Sequence, residues 1–154
     1  MLLTWHPDLA LTGAERVTQV YGLCLTPVGQ LLLVSQDGEF WTLPGGHPEP
    51  GETHADTLTR EVWEEACARV TEHQYLGAQR VADPGEAEPY YQLRYIARVN
   101  LEPFAPAHEM RHRKLVDIDT ARRLLWRGES RIAHALIDHI ADLMGANMPP
   151  RHLL

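Results

Sequence analysis

Apolar and polar residues alternate along several short stretches of this chain, a pattern that predicts β-strands. The predicted strands cover residues 16–25, 30–35, 40–43, 75–81, 90–99 and 114–118. In the stretch 90–99, Tyr91, Leu93 and Tyr95 fall on one face, while Gln92 and Arg94 fall on the other. Residues 1–15 show no such alternation, and we predict that they form an irregular lead-in.

Three helices are predicted where apolar residues recur every three or four positions, over about 54–69, 119–127 and 130–144. In the first, Leu58, Val62 and Trp63 are expected on the side that packs on a sheet. Thr53, followed three residues later by Asp56, predicts a capped helix start. Strands, a helix, more strands and closing helices together favour an α/β fold, with a mixed β-sheet covered by helices on both sides.

The whole chain narrows the class of protein. A length of 154 residues suits one domain, which we expect to span 1–154. The net charge of -7 argues against nucleic acid or an anionic membrane surface as the main partner. Cys24 and Cys67 form no disulfide or zinc pattern. No apolar run has the length of a membrane helix, and no secretory signal begins the chain, so we predict a cytoplasmic protein.

Three glutamates give the first helix one acidic face. Glu61, Glu64 and Glu65 are three and four residues apart, so helical geometry brings them together. Crowded carboxylates repel one another unless a cation lies among them, and oxygen ligands of this kind suit Mg²⁺. A solvated acidic face would have the same spacing. Leu43-Pro44-Gly45-Gly46 just before the helix favours a ligand site instead, because glycine lets the backbone approach a ligand closely.

The spacing around this face follows a wider pattern. Gly46 is followed after five residues by Glu52, and after seven more by Arg60-Glu61-Val62-Trp63-Glu64-Glu65. This arrangement resembles the Nudix box, the signature of a family of metal-dependent hydrolases. Two positions depart from it, because Cys67 stands where the family has glycine and Ala68 is a small residue at a bulky aliphatic position. We expect a modest adjustment at Cys67, on the view that the family glycine allows a neighbour to approach.

The resemblance implies a Nudix-type α/β/α sandwich with a mixed β-sheet. It also implies a metal site for Mg²⁺ or Mn²⁺, with ligands from the Gly45 carbonyl, Glu61, Glu64 and Glu65. Arg60 would orient Glu61 and the loop carboxylate Glu52. The catalytic base would be a box glutamate such as Glu64, or else Glu109, and the residues do not choose between them.

The resemblance further implies a pyrophosphohydrolase acting on a small nucleotide-diphosphate substrate, of the ADP-ribose or NDP-sugar type. Homodimer formation stays open. Pro84 lies at a spacing found in some ADP-ribose hydrolases of the family, although a hairpin turn would also place proline there. We expect the turn 82–89 and the loop 100–113 to shape the pocket, with an acidic rim that disfavours triphosphates. A nucleoside triphosphate pyrophosphatase and a non-catalytic ligand-sensing module are the alternatives.

A second motif competes with this interpretation. His108-Glu109-Met110-Arg111-His112 spells H-E-x-x-H, the signature of zinc peptidases, which need it on a helix. Here it follows Pro103 and Pro106 and precedes a predicted strand, so the sequence disfavours a peptidase. On the predicted strand 90–99, Arg94 and Arg98 could reach substrate phosphates, or could lie on an exposed sheet face.

Overall fold

A computed structural model of the protein describes residues 1–125 and 131–145. The described elements, in chain order, are β1 Leu2–Pro7, β2 Val17–Leu25, β3 Leu31–Ser35, β4 Gly45–Gly46, α1 His54–Ala66, β5 Ala68–Ala82, β6 Tyr90–Leu101, β7 His112–Val116, α2 Ile118–Leu124 and α3 Arg131–Gly145. The strands form one sheet in the order β1-β5-β6-β2-β3-β7, and β4 pairs with β2. Strands β2 and β6 run parallel, while the other pairs are antiparallel. The predicted α/β fold with a mixed sheet is confirmed.

Two apolar cores lie on opposite faces of the sheet. On the α1 face, Val20, Leu32 and Leu93 pack with Leu58 and Val62 of the helix. The other core, on the α2 and α3 face, includes Leu23, Leu31, Leu33, Ile96, Leu136, Ile137 and Ile140. The uninterrupted apolar run in β3 is explained by this double coverage, since consecutive side chains of a strand point to opposite faces and both faces are buried.

Helix α1 has the predicted start but an earlier end. The Thr53 hydroxyl accepts from the Asp56 N–H, and the Asp56 carboxylate accepts from the Thr53 N–H, both at 3.0 Å. The helix stops at Ala66 because Cys67 adopts the left-handed conformation, with φ 52° and ψ 44°. A positive φ therefore gives one reason for the family's preference for glycine at this position. A neighbour also lies close, as expected, because the Cys67 sulfur is 3.4 Å from the Ala105 nitrogen and 3.7 Å from the Ala105 carbonyl oxygen.

The reversal at Cys67 also corrects the strand that follows. Strand β5 starts at Ala68 and runs for 15 residues, about twice the predicted length. Its far end pairs with β1, so residues 2–7 form an edge strand where an irregular lead-in was predicted. Nothing local marks β1 as a strand, because its hydrogen-bonding partner lies some seventy residues away in sequence.

Three smaller expectations also change. The predicted strand 40–43 is reduced to isolated bridges at Trp41 and Thr42, and the short strand lies instead at Gly45–Gly46. Trp63 is 42% exposed, with the Arg69 guanidinium 4.5 Å from its ring centroid, so it does not pack on the sheet. Residues 126–130, which the last two predicted helices partly include, lie outside the described residues.

Within residues 1–125 and 131–145, no helix is both apolar and long enough to span a membrane.

Candidate active site

Two glycines bring the chain against the first helix. Strand β4 pairs with Tyr21 and Val20 of β2, and the Pro44 carbonyl just before it accepts from the Gly22 N–H at 2.9 Å. A β-carbon on Gly46 would collide with the Glu61 carboxylate, and one on Gly45 would collide with the β2 backbone. The backbone of β4 can therefore lie directly beside a helix carboxylate only because both residues lack side chains.

Arg60 links the loop carboxylate to the helix. Its Nε and Nη2 donate to the two oxygens of Glu52 at 2.7 and 3.0 Å, a bidentate pair. Its Nη1 donates to Glu61 at 2.8 Å and to Glu64 at 3.3 Å. The hydrogen bonds from Arg60, followed by that from the Glu49 N–H, lower the pKa of Glu52 to about 2. Glu52 thus remains ionised and holds Arg60 against the helix glutamates.

Glu65 has the opposite surroundings. It is 9% exposed, and one carboxylate oxygen accepts from the Gly45 N–H at 2.8 Å. Burial raises the pKa of Glu65 to about 7 against the effect of that hydrogen bond, and the charges of Glu61, Glu109 and Glu64 add to the rise. Burial likewise raises the pKa of Glu61, although Arg60 opposes the shift. The acidic face is therefore a place where negative charge is costly without a cation.

A cavity of about 460 Å³ opens over this face. Its lining comes from β2, the 42–47 segment, α1 and the loop before β7, and consists of Gln19, Tyr21, Thr42, Leu43, Gly45, Gly46, His47, Glu61, Glu64, Glu65, His108, Glu109 and Met110. The structure therefore brings Glu109 to the same cavity as the three helix glutamates, although more than forty residues separate them in sequence. Glu52 and Arg60 do not line the cavity, but Arg60 is hydrogen-bonded to Glu61 and Glu64, which do.

The donor set fits a divalent cation. The carboxylates of Glu61, Glu64 and Glu65 and the backbone of Gly45 offer hard oxygen ligands, which suit Mg²⁺ and Mn²⁺. Arg60 draws Glu61 and Glu64 toward itself, and no three His, Cys, Asp or Glu side chains within 1–125 and 131–145 already form a ligand group. The fit rests on one buried carboxylate, Glu65, and two partly buried ones, Glu61 and Glu64, beside a backbone that only glycine permits.

Several expectations about the pocket rim were wrong. The turn 82–89, including Pro84, does not line the cavity. Glu86 is paired with Arg16 at 3.0 Å and Glu102 with Arg69 at 3.2 Å, so neither charge is available as an acidic rim. The glutamates of these two segments are Glu86, Glu88, Glu102 and Glu109, and of these only Glu109 lines the cavity.

The two strand arginines, Arg94 and Arg98, have different surroundings. Arg94 is 2% exposed, so it does not lie on an open sheet face. It packs over the Tyr21 ring and donates to Gln79 at 3.1 Å. Arg98 lies near Glu72 at 3.5 Å and does not line the cavity. The sequence did not single out Gln19 and Tyr21, two lining residues from β2. The only sign of them in the sequence is the alternation along that strand, and their position near the glycine pair is seen only in the structure.

The H-E-x-x-H motif has no helical geometry. His108 and Glu109 lie in a loop, whereas His112 begins β7 and lies against Gly38. The two histidines therefore lack the one-turn spacing on a helix that a zinc peptidase requires. Glu109 and His108 belong to the carboxylate cavity instead. His47, in the loop before α1, also lines the cavity, and its Nδ1 donates to the Thr18 carbonyl at 2.8 Å.

Solved structures of known proteins share this fold. A mutant of the Bacillus subtilis pyrophosphohydrolase BsRppH is 21% identical, with a TM-score of 0.71 over 94% of this chain and 91% of its own. A MutT protein from Bacillus halodurans is 19% identical, with a TM-score of 0.62 over 79% of this chain and 80% of its own. A UDP-X diphosphatase is 18% identical, with a TM-score of 0.58 over 84% of this chain and 64% of its own.

The sequence comparison agrees with the fold. The family model described as NUDIX domain matches residues 16–137, which include the glycine pair, the acidic helix and the Glu109 loop. Both the Nudix-type sandwich and the resemblance drawn from the box are thereby confirmed, and divalent metals are generally used by Nudix hydrolases. This chain belongs to the Nudix hydrolase family.

Proposed function

We propose that this Nudix hydrolase, as a single domain over residues 1–154, cleaves the diphosphate linkage of a nucleoside diphosphate joined to another group, of the ADP-ribose or NDP-sugar type. One observation carries the proposal: four glutamates, three from α1 and Glu109 from a distant loop, line one cavity beside the Gly45–Gly46 backbone. Pyrophosphohydrolase and diphosphatase, the names of two proteins with a similar fold, agree with cleavage of a phosphoric anhydride.

The chain's own oxygens would hold the cation. We assign the Gly45 carbonyl, Glu61, Glu64 and Glu65 as its ligands, and Mg²⁺ or Mn²⁺ as the ion. A divalent cation bound there would neutralise charge on the phosphate oxygens and lower the pKa of the attacking water. Arg60 and Glu52 act by orientation, because their bidentate pair sets the rotamer from which Arg60 reaches Glu61 and Glu64.

The proton of the attacking water needs an acceptor inside the cavity. Glu64 and Glu109 both line it, and either can accept the proton as general base. Glu64 already accepts a hydrogen bond from Arg60 at 3.3 Å. Glu109 has no arginine hydrogen-bonded to it among the described residues, so we favour Glu109 as the base.

Charge around the cavity favours a diphosphate diester over a triphosphate. Its described lining includes four glutamates and two histidines but no lysine or arginine. A triphosphate carries about twice the negative charge of a diphosphate diester, and each added charge meets the same acidic wall. The further phosphate of a triphosphate would therefore meet carboxylates in this lining without a lysine or arginine to offset its charge.

A hydrolysis screen tests the proposal. The purified protein is incubated with Mg²⁺ or Mn²⁺ and ADP-ribose, NDP-sugars, dinucleoside polyphosphates or nucleoside triphosphates, and products are measured through phosphatase-coupled phosphate release. We expect a diphosphate diester to give the highest kcat/KM, with no turnover in chelator. Glu72→Gln, at an exposed glutamate outside the cavity, should match the parent.

The screen separates the proposal from its alternatives. A triphosphate that exceeds every diphosphate diester by tenfold would favour the triphosphate pyrophosphatase. Metal-dependent binding of nucleotides without any turnover would favour the sensing module. Full activity in chelator would contradict the metal-dependent mechanism itself.

A further inference from the structure

Tyr21 reaches the carboxylate cavity from β2, the strand next to the glycine pair. It is one of the cavity's lining residues, although it is absent from the box. Its hydroxyl forms no hydrogen bond with any residue in 1–125 or 131–145. A half-buried phenol with an unused O–H beside a ligand cavity is available to donate to a bound molecule.

Two neighbours hold the Tyr21 ring in place. The guanidinium of Arg94 lies 4.6 Å from the ring centroid, and its own position is set by donation to the Gln79 side chain and the Leu93 carbonyl. Gly45 borders the ring so closely that a β-carbon there would collide with it. The ring is therefore fixed between a buried cation and the backbone that carries a proposed metal ligand.

Tyr21 and the helix glutamates face the same cavity. Tyr21 lines it together with Glu61 and Glu65, and it pairs with Gly45 in the sheet. A phenol carries its proton at neutral pH, so its hydroxyl can donate. A substrate bound in this cavity would therefore meet a neutral donor on the wall formed by β2.

We propose that Tyr21 is a substrate-binding residue whose hydroxyl donates a hydrogen bond to a phosphate oxygen of the substrate's diphosphate. This assignment rests on the proposed function. Neutral donation suits this cavity because its described lining holds four carboxylates and no lysine or arginine. A hydrogen bond from a neutral phenol to an anionic oxygen is charge-assisted, and it adds affinity without pairing with the neighbouring glutamates as a lysine would.

Tyr21→Phe provides the test, because it removes the hydroxyl and keeps the ring between Arg94 and Gly45. The probe is methylenediphosphonate, a diphosphate that cannot be hydrolysed, titrated calorimetrically in the presence of Mn²⁺. We expect its affinity to fall about tenfold or more, as for the loss of a hydrogen bond to a charged group. Mn²⁺ affinity and the melting temperature should stay at the parental values. Tyr95→Phe, on the adjacent strand β6 and outside the cavity, is the matched control.

The outcomes separate this inference from the hydrolase proposal. Weaker binding of the probe in Tyr21→Phe alone supports the inference, even if no substrate is turned over. Equal affinity in Tyr21→Phe and the parent overturns it, even if hydrolysis is robust. A parallel loss of Mn²⁺ affinity, or a parent that does not bind the probe, also overturns it, because the hydroxyl would then support the metal site or contact no phosphate.

Discussion

Glu52 and Glu65 both belong to the Nudix box, yet their surroundings shift their pKa values in opposite directions. Glu52, in the loop before α1, accepts hydrogen bonds from Nε and Nη2 of Arg60, and its pKa falls to about 2. Glu65, on the helix, is buried beside other carboxylates, and its pKa rises to about 7. Arg60 also reaches Glu61 and Glu64 but has no hydrogen bond to Glu65.

The difference in pKa between Glu52 and Glu65 reflects two different roles of glutamate in one box. The loop carboxylate is neutralised by a cation that the chain itself supplies, and its contribution is structural. Among the helix carboxylates of the cavity, Glu61 and Glu64 share Arg60, whereas Glu65 has no hydrogen bond from an arginine or lysine of the described residues. A buried carboxylate without a paired cation costs stability, and a functional site often carries such a cost.

Glu65→Gln should break the cavity side of this comparison and have the largest effect. We expect hydrolysis to fall by about 10²-fold or more, as for removal of a major electrostatic group. The metal-free protein should melt at a higher temperature than the parent, because a buried, repelled charge is gone while the amide oxygen still accepts from Gly45. Steady-state kinetics and thermal unfolding in chelator measure both effects. A variant that keeps its turnover would contradict the assignment of Glu65 as a ligand.

Glu109→Gln sharpens the comparison by testing the one cavity carboxylate that lies outside the helix. As the proposed base, its loss should reduce kcat by about 10²-fold, with KM changed little. Glu102→Gln is a suitable control, because that glutamate lies in the same loop but is paired with Arg69 outside the cavity. If the two variants have equal kcat, the general base is Glu64 or another group.

Glu52→Gln tests the paired side through the pH dependence of stability. The folded-state pKa of about 2 lies below the ordinary value of roughly 4.3, so the stabilisation is complete above about pH 5 and is lost as the pH falls toward 2. The difference in unfolding free energy between parent and variant should therefore shrink as the pH falls through this window. Chemical unfolding in chelator at several pH values measures it. Other carboxyls with lowered pKa values, such as Asp37, contribute equally to both proteins and cancel.

A pH-independent difference would mean that the Glu52–Arg60 pair contributes no charge-dependent stability. Activity supplies a second measure. We expect Glu52→Gln to lower kcat less than Glu65→Gln does, because Glu52 acts through Arg60 and does not line the cavity.

Substitutions at Cys67 have the smallest expected effect, and they test whether the backbone conformation that ends α1 costs stability. Replacement by Gly and by Ala removes the same thiol, so the pair isolates the left-handed backbone. Cys67→Gly should be more stable than Cys67→Ala by about 1 kcal/mol, since only glycine adopts positive φ at little cost. Denaturant unfolding measures the difference. A more stable Ala variant would show that backbone strain does not explain the family glycine here.

The local part of the site was predictable from the sequence. The start of α1 and the acidic face join residues three or four positions apart, so capping chemistry and helical geometry suffice to place them. The contact of Arg60 with Glu52 was expected from the family resemblance instead. Glu109 was also singled out, on the family resemblance, and the structure places it in the cavity. Its role, like those of the other site residues, stays a prediction.

The remainder depended on contacts between distant segments. Strand β1 exists because it pairs with Gly77–Ala82, at the end of β5 that lies farthest from α1. The other end of β5 begins at Ala68 because Cys67 ends the helix early. Arg94 is buried because β6 lies between β2 and β5, which surrounds its side chain with Tyr21 and Gln79. Alternation on a strand identifies two faces but not which neighbours cover them.

By itself, the sequence determined the family, the α/β character and the set of carboxylates on one helix face, because these follow from residue type and short-range spacing. Only the tertiary structure decided which of those carboxylates Arg60 reaches and which one is buried without it, since burial and the reach of Arg60 depend on how loop, helix and sheet pack. The same packing excluded the 82–89 turn from the cavity and brought in Tyr21, held between Arg94 and Gly45.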